Sequence, residues 1–68
     1  MDKVSARKMI TLLGKKHPKG FGFDMAKEHA GNNFKLPVFM EACNQMAKEQ
    51  VLSMKKSNQG KPIFILLG

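Results

Sequence analysis

The last third of the chain, residues 36–68, reads LPVFMEACNQMAKEQVLSMKKSNQGKPIFILLG and begins with the pattern of an amphipathic helix. Its apolar residues recur at steps of three and four, which places them on one face of a helix: Leu36, Phe39, Met40, Cys43, Met46 and Ala47. Pro37 sets the start, because proline is tolerated at the first helical position and disfavours helical backbone at the preceding residue. The predicted helix covers residues 37–49.

Two strands and a polar turn follow this helix. The first predicted strand covers residues 51–56, and the second covers residues 61–67, where β-branched and aromatic residues are concentrated. The connecting sequence KKSNQGK at 55–61 has the composition of a turn, and Gly60 suits a position of positive φ. A helix that leads into a hairpin with a basic tip is the outline of a winged helix-turn-helix.

The first half of the chain supplies the elements that this outline still needs. A helix is predicted over residues 3–15, with Asp2 or Ser5 as its cap and with Gly14 and the following HPKG as its stop. Phe21 is the predicted short strand, and a second helix follows over residues 23–30 and ends at Gly31. The core residues expected from this half are Ala6, Met9, Ile10, Leu13, Met25, Ala26, Ala30 and Phe34. The predicted fold class is therefore α+β: a winged helix-turn-helix with three helices and a small antiparallel sheet, in one domain over residues 1–68.

The net charge is the main functional signal in the composition. Twelve Lys and Arg against five Asp and Glu give a formal net charge of +7, and such an excess favours polyanions, nucleic acid above all. Arg7 is the only arginine, the residue that makes the bidentate contact to guanine, so the composition favours binding of the phosphate backbone over base reading. The basic residues that lie off the apolar stripe of the first helix are expected to face water or a partner; they are Lys3, Arg7, Lys8, Lys15 and Lys16.

No catalytic or metal-binding pattern is found in the sequence. Cys43 is the only cysteine and falls on the apolar stripe, so a buried, inert thiol in a reducing compartment is expected. His17 and His29 have no partners at metal-ligand spacing, and no phosphate-binding loop, nucleophile elbow or carboxylate pair is present. We expect neither an enzyme nor a cofactor. No apolar run reaches signal or membrane length, which predicts a cytoplasmic protein without membrane contact.

The basic hairpin is the strongest candidate for contact with nucleic acid. Three lysines and four polar turn residues make up its tip: Lys55, Lys56, Ser57, Asn58, Gln59, Gly60 and Lys61. A hairpin needs polar turn residues in any case, but three lysines around them predict contact with a phosphate backbone or entry into a minor groove.

The predicted third helix offers two further candidate surfaces. Asn32, Asn33 and Lys35 precede its start, where free amides and the positive end of the helix dipole suit a phosphate, although an ordinary helix cap explains them equally well. The outward face is predicted to carry Val38, Glu41, Ala42, Gln45 and Lys48. On this face Gln45 is suited to adenine and Val38 or Ala42 to a thymine methyl, whereas the Glu41 carboxylate would be repelled by phosphates. A solvated face without a partner is the alternative.

The layout resembles the C-terminal winged-helix domains of Rok-type proteins, nucleoid-associated repressors of Bacillus that bind A+T-rich DNA. The matching features are a lysine-rich first helix, Phe39-Met40 early in the third helix, Lys55-Lys56 entering the wing, and Phe64-Ile65-Leu66 with Gly68 in the last strand. The resemblance covers nearly all of the chain. It implies minor-groove contact through Lys35 and Pro37 at the helix start and through Lys61 in the wing, and self-association through regions outside this chain.

We therefore expect a protein that binds double-stranded DNA, with a preference for A+T-rich sequence, as a transcriptional repressor or nucleoid-associated silencer. The alternative is a winged-helix protein-interaction module with an acidic partner, which Glu41 and an exposed apolar patch around Val38 and Ala42 would favour. RNA is a weaker alternative, because all five phenylalanines can be assigned to the core or its edges and leave no exposed aromatic platform.

Overall fold

The computed structural model describes residues 1–67, which form three α-helices and a two-stranded antiparallel sheet. The elements in chain order are α1 (Lys3–Lys16), α2 (Phe23–Ala30), a single 3₁₀ turn (Gly31–Asn33), α3 (Leu36–Lys48), β1 (Leu52–Lys56) and β2 (Pro62–Leu66). The predicted α+β class is confirmed, and every predicted boundary lies within one residue of the observed one. Gly68, one of the residues that carry the resemblance to Rok-type domains, lies outside the described residues.

The helix ends follow local chemistry. The Asp2 side chain accepts a hydrogen bond of 2.7 Å from the Ser5 backbone N–H, which caps α1 and holds the pKa of the Asp2 carboxyl below its usual value. Gly31 has a φ of 60° after α2, in the left-handed region predicted for it. Lys35 has extended backbone and is the N-cap of α3, so the helix begins at Leu36. Pro37 therefore occupies the second helical position instead of the predicted first.

Gly14 corrects the prediction for α1. The helix continues through it to Lys16, so Gly14 does not stop the helix. It is buried under β2, and a Cβ atom added there would overlap the Leu66 side chain. The glycine therefore permits close packing of α1 on the sheet.

Phe21 extends the sheet by one residue, as predicted. Phe21 and Phe64 exchange both backbone hydrogen bonds, at 2.9 and 2.8 Å, so β2 lies between Phe21 and β1. The register pairs Met54 with Phe64 and Lys56 with Pro62. This arrangement leaves one edge of β1 without a strand partner among residues 1–67.

The core lies between the helices and one face of the sheet. Its buried residues are Ala6, Met9, Ile10, Leu13, Phe21, Ala26, Phe39, Ala42, Cys43, Met46, Leu52 and Phe64. The Phe39 ring is central to it, with ring centroids 5.3 Å from Phe64, 5.4 Å from Phe34 and 5.8 Å from Phe23. Fully or partly buried, all five phenylalanines pack in or against the core, as predicted.

Three apolar side chains were assigned to the wrong side of their helices. Ala42 is fully buried, although an outward position was predicted. Met25 and Leu36 were expected in the core but are 40% and 47% exposed.

None of the helices formed by residues 1–67 has the length and apolar character needed to span a bilayer.

Candidate nucleic-acid interface

The hairpin between β1 and β2 is closed by a compact turn organised around Ser57. The Ser57 backbone N–H donates to the Lys61 carbonyl at 2.8 Å, and the Ser57 carbonyl accepts from the Gly60 N–H at 2.9 Å. The Ser57 hydroxyl oxygen accepts from the N–H groups of Gln59 and Lys61 at 3.3 and 3.2 Å. Gly60 has a φ of 79°, as the three-residue hairpin loop with a left-handed last position requires. The turn is thus closed by backbone hydrogen bonds and by the Ser57 hydroxyl.

The lysines of this tip are exposed and free of ion pairs. Lys55, Lys56 and Lys61 have no carboxylate within 4.0 Å among the described residues, and Asn58 and Gln59 are also exposed. Asp24 lines a groove of about 350 Å³ together with Lys61 and Lys27, but forms no ion pair with either lysine. Because the lysines remain solvated and unpaired, their charge is available to an anionic partner.

The outward face of α3 differs from the predicted one. The buried stripe consists of Phe39, Ala42, Cys43 and Met46. At 3.6 residues per turn, the residues opposite that stripe are Pro37, Glu41, Asn44 and Lys48, all of them exposed, with Gln45 exposed at the margin. Val38 is half-buried and packs against the core. The proposed thymine contact through Ala42 is therefore wrong, and Asn44 takes the place of Ala42 on the exposed face.

Both carboxylates near this face are held by cations from α1. The Lys3 Nζ lies 3.2 Å from a Glu41 carboxylate oxygen. The Arg7 guanidinium donates two hydrogen bonds to the Glu49 carboxylate, at 2.8 and 3.1 Å, in the bidentate geometry that favours such pairs. The hydrogen bonds lower the pKa of the Glu49 carboxyl and raise that of the Arg7 guanidinium. Arg7 is consequently engaged within the domain, whereas the sequence predicted that it faces water or a partner.

The start of α3 has open hydrogen-bonding capacity. Its cap residue, Lys35, makes no side-chain hydrogen bond to the helix, and the Lys35 carbonyl accepts from the Phe39 N–H at 2.9 Å. Pro37 has no N–H, so the backbone donors of the first turn are those of Leu36 and Val38. Lys35 and Pro37 are exposed beside these donors. An anion is therefore suited to this helix end.

The predicted site residues fall into separate groups. Of the hairpin tip, Lys61 lines the groove that contains Lys27 and Asp24. Gln45 and Lys48 line a different groove of about 390 Å³, together with Lys3, Glu41 and Asn44. Asn32 and Asn33 are exposed in the 3₁₀ turn, and Asn33 lines a third groove that lies against α1.

Two polar residues, Lys27 and Asn44, were missed. Once Ala42 is assigned to the core, helical spacing predicts that Asn44 is exposed on the same face as Pro37, Glu41 and Lys48. Lys27 had no signal in the sequence, because only the tertiary fold brings α2 next to the wing.

Among residues 1–67, the side chains that could ligate a metal ion are dispersed, and the thiol of Cys43 is buried. Residues 1–67 contain no group of three or more His, Cys, Asp or Glu side chains placed to hold a metal ion. Cys43 is buried on α3, and desolvation raises the pKa of its thiol to about 12, so the thiol stays protonated near neutral pH.

Comparison with known proteins gave no match to a family model, a curated protein or a solved structure.

Proposed function

We propose that this domain is a winged helix-turn-helix that binds double-stranded DNA through the hairpin and the start of α3. The element order supports this reading, because a helix pair precedes the candidate recognition helix α3, and a hairpin with a basic tip follows it. The bridge between Phe21 and Phe64 is compatible with the short first strand of that architecture. The hairpin from β1 to β2 is accordingly called the wing below.

The distribution of free charge carries the proposal. Two of the twelve cations, Lys3 and Arg7, are paired with two of the five carboxylates, Glu41 and Glu49. Subtraction leaves ten lysines without an ion pair against three remaining carboxylates across residues 1–67. The pairs also neutralise the acidic residues of α3 and its end, which would otherwise repel phosphates. A large excess of unpaired lysine favours a polyanion over a neutral partner.

A preference for A+T-rich DNA, read through the minor groove, is the specific form of this proposal. Asn58 and Gln59 lie exposed at the tip of the wing, between lysines that favour a strongly negative groove. Arg7, the side chain suited to bidentate recognition of guanine in the major groove, is committed to Glu49. The proposed role is a transcriptional repressor or nucleoid-associated silencer, located in the cytoplasm at the nucleoid.

The alternative, an interaction module that uses α3 for an acidic protein, loses its expected support. An exposed apolar patch around Val38 and Ala42 was its predicted feature, but Ala42 is fully buried and Val38 is half-buried against the core. The exposed apolar residue near the start of α3 is Leu36. DNA therefore remains the better proposal for the face that includes α3.

The proposal is tested by titrating the domain against two fluorescent duplexes of equal length, one A+T-rich and one G+C-rich, over a series of salt concentrations. We expect tighter binding to the A+T-rich duplex and a linear fall of log Kobs with log[salt], with a slope of about −0.9 for each phosphate contacted. Equal affinities for the two duplexes would remove the A+T preference. Absence of binding at low salt would refute DNA binding altogether.

A further inference from the structure

The exposed face of α1 combines lysines with aliphatic side chains. Val4, Lys8, Leu12 and Lys15 follow one another at steps of four, four and three, so they form one stripe along the helix. Val4 is 61% exposed and Leu12 is 41% exposed, although α1 has a complete buried face of its own. We call these four residues the α1 stripe. Its aliphatic members are not needed for the core.

A groove lies on each side of the α1 stripe. The larger groove, of about 580 Å³, separates α1 from the end of α2; Met1, Met9 and Ala30 contribute apolar wall, and His29 lies at its rim. The smaller groove, of about 370 Å³, is lined by Thr11 and Lys15 among others. Lys8 and Leu12 line both grooves and form the ridge between them. Both grooves are open to solvent, so this surface suits an extended contact better than it suits a small ligand, which binds in an enclosed pocket.

Among the residues that the structure describes, 1–67, no acidic side chain lines either groove. Lys8 and Lys15 have no carboxylate within 4.0 Å among residues 1–67, so both cations are available. Ion pairs that formed at this surface would lie next to Leu12 and gain from its desolvation.

We propose that the α1 stripe is a docking surface for an acidic amphipathic helix of a protein partner. Leucine-like side chains of such a helix would bury Val4 and Leu12 and enter the two grooves, while its carboxylates at three- and four-residue spacing would meet Lys8 and Lys15. The four residues of the α1 stripe lie outside the wing and α3, so the inference goes beyond the proposed DNA binding and does not depend on it. Asn33, a predicted DNA contact, also lines the larger groove.

The chemistry of the stripe favours this occupant over three others. Duplex DNA would use the lysines but would leave Val4 and Leu12 without an apolar partner. A membrane surface needs a broad apolar helix face, whereas the main apolar face of α1 is buried in the core. A second copy of the chain would bring its own charge of +7 against the same basic face.

The test is a titration of the isotopically labelled domain with a synthetic helical peptide, followed by amide chemical shifts. The peptide carries two leucines and three glutamates on one helical face, and the control peptide has the same composition in scrambled order. We expect shifts confined to residues 4–15 and the end of α2, with saturation below millimolar peptide and weaker binding of the scrambled peptide.

Two pairs of substitutions separate this site from the wing. The double variant Lys8→Gln/Lys15→Gln is expected to weaken peptide binding about tenfold, from the loss of two exposed ion pairs. Leu12→Ala should weaken it as well, which charge attraction alone would not explain. The charge-matched control Lys56→Gln/Lys61→Gln should leave peptide affinity unchanged while it weakens DNA binding.

The proposal is overturned by no saturable shifts, by equal binding of the scrambled peptide, by shifts that centre on the wing, or by unchanged affinity in Leu12→Ala. It is also overturned if the α1 amides respond to the A+T-rich duplex, or to vesicles of phosphatidylglycerol, and not to the peptide. The DNA measurements are made separately, so failure here leaves DNA binding by the wing as it was.

Discussion

Removing the three wing lysines should reduce both the affinity for DNA and its dependence on salt. The perturbation is the triple variant Lys55→Gln/Lys56→Gln/Lys61→Gln, which keeps long polar side chains on the hairpin. The turn should survive, because its hydrogen bonds come from Ser57 and the backbone and from none of the replaced side chains. Any change in binding would then report the loss of charge at the tip.

The expected magnitude follows from the number of unpaired cations. The three wing lysines have no carboxylate within 4.0 Å in the described part of the chain, so they give at most three phosphate contacts. Each contact contributes about 0.9 to the slope of log Kobs against log[salt]. The slope should therefore become shallower by up to about 2.7. At roughly 0.1 M salt the same relation makes each contact worth about eightfold in affinity, so the triple variant should lose up to about 500-fold.

The matched control removes the same charge from another surface. The variant Lys8→Gln/Lys15→Gln/Lys16→Gln on α1 also lowers the formal net charge from +7 to +4, since three charges are removed in each case. Fluorescence anisotropy with the A+T-rich duplex, over a range of salt concentrations, compares the two variants. We expect the α1 variant to keep a slope close to that of the unmodified domain. Equal slopes in the two variants would show that affinity follows net charge alone, and the wing would then not be the contact surface.

Three further predictions concern the framework that carries these surfaces. Gly14→Ala should lower thermal stability, because overpacking against Leu66 costs about 1–3 kcal/mol and outweighs the gain of about 1 kcal/mol in helix propensity; a higher melting temperature would contradict the packing seen there. Glu49→Gln should destabilise the domain above about pH 5 and lose this effect as the pH falls below the ordinary carboxyl pKa, because the Arg7 hydrogen bonds lower the pKa of the Glu49 carboxyl in the folded state. Thermal melts at several pH values check this, and a difference in melting temperature that does not depend on pH would count against the ion pair. Cys43 should resist alkylation near pH 8 in the folded domain and react once denaturant is added, because its thiol pKa is about 12; rapid labelling without denaturant would contradict its burial.

The positions of helices and strands were readable from the sequence because local signals there agree with one another. Asp2 caps α1, and Gly31 and Gly60 have the positive φ expected of them. Pro37 marks the start of α3 to within one residue, since it lies at the second helical position. These signals act over a few residues, so they do not depend on how the elements pack.

Side-chain orientation was less predictable where the period alone had to decide it. The α3 pattern contains apolar residues on more than half of the helix circumference, and the sequence could not tell whether Ala42 or Leu36 belongs to the core. Packing against both α1 and β1 decides it, and the result turns Ala42 inward and Leu36 outward. On α2 the sequence likewise could not show which apolar residue is buried: Ala26 lies fully in the core, whereas Met25 is exposed.

The ion pairs between α1 and α3 change how the acidic residues of the third helix must be weighed. Glu41 counted against DNA contact as long as it was considered alone, but Lys3 lies 3.2 Å from it, and Arg7 holds Glu49 across 42 positions of sequence. Both pairs are exposed, so their contribution to stability is modest, and their larger effect is on the distribution of charge. They remove negative potential from the side of α3 that faces outward, and they engage Arg7, the one side chain suited to bidentate recognition of guanine, within the domain.

The unpaired cations among residues 1–67 are lysines, which bind phosphates as point charges. Under the proposed function, affinity should therefore depend on salt more strongly than on sequence, and discrimination between sequences should come from the shape of the minor groove at the wing.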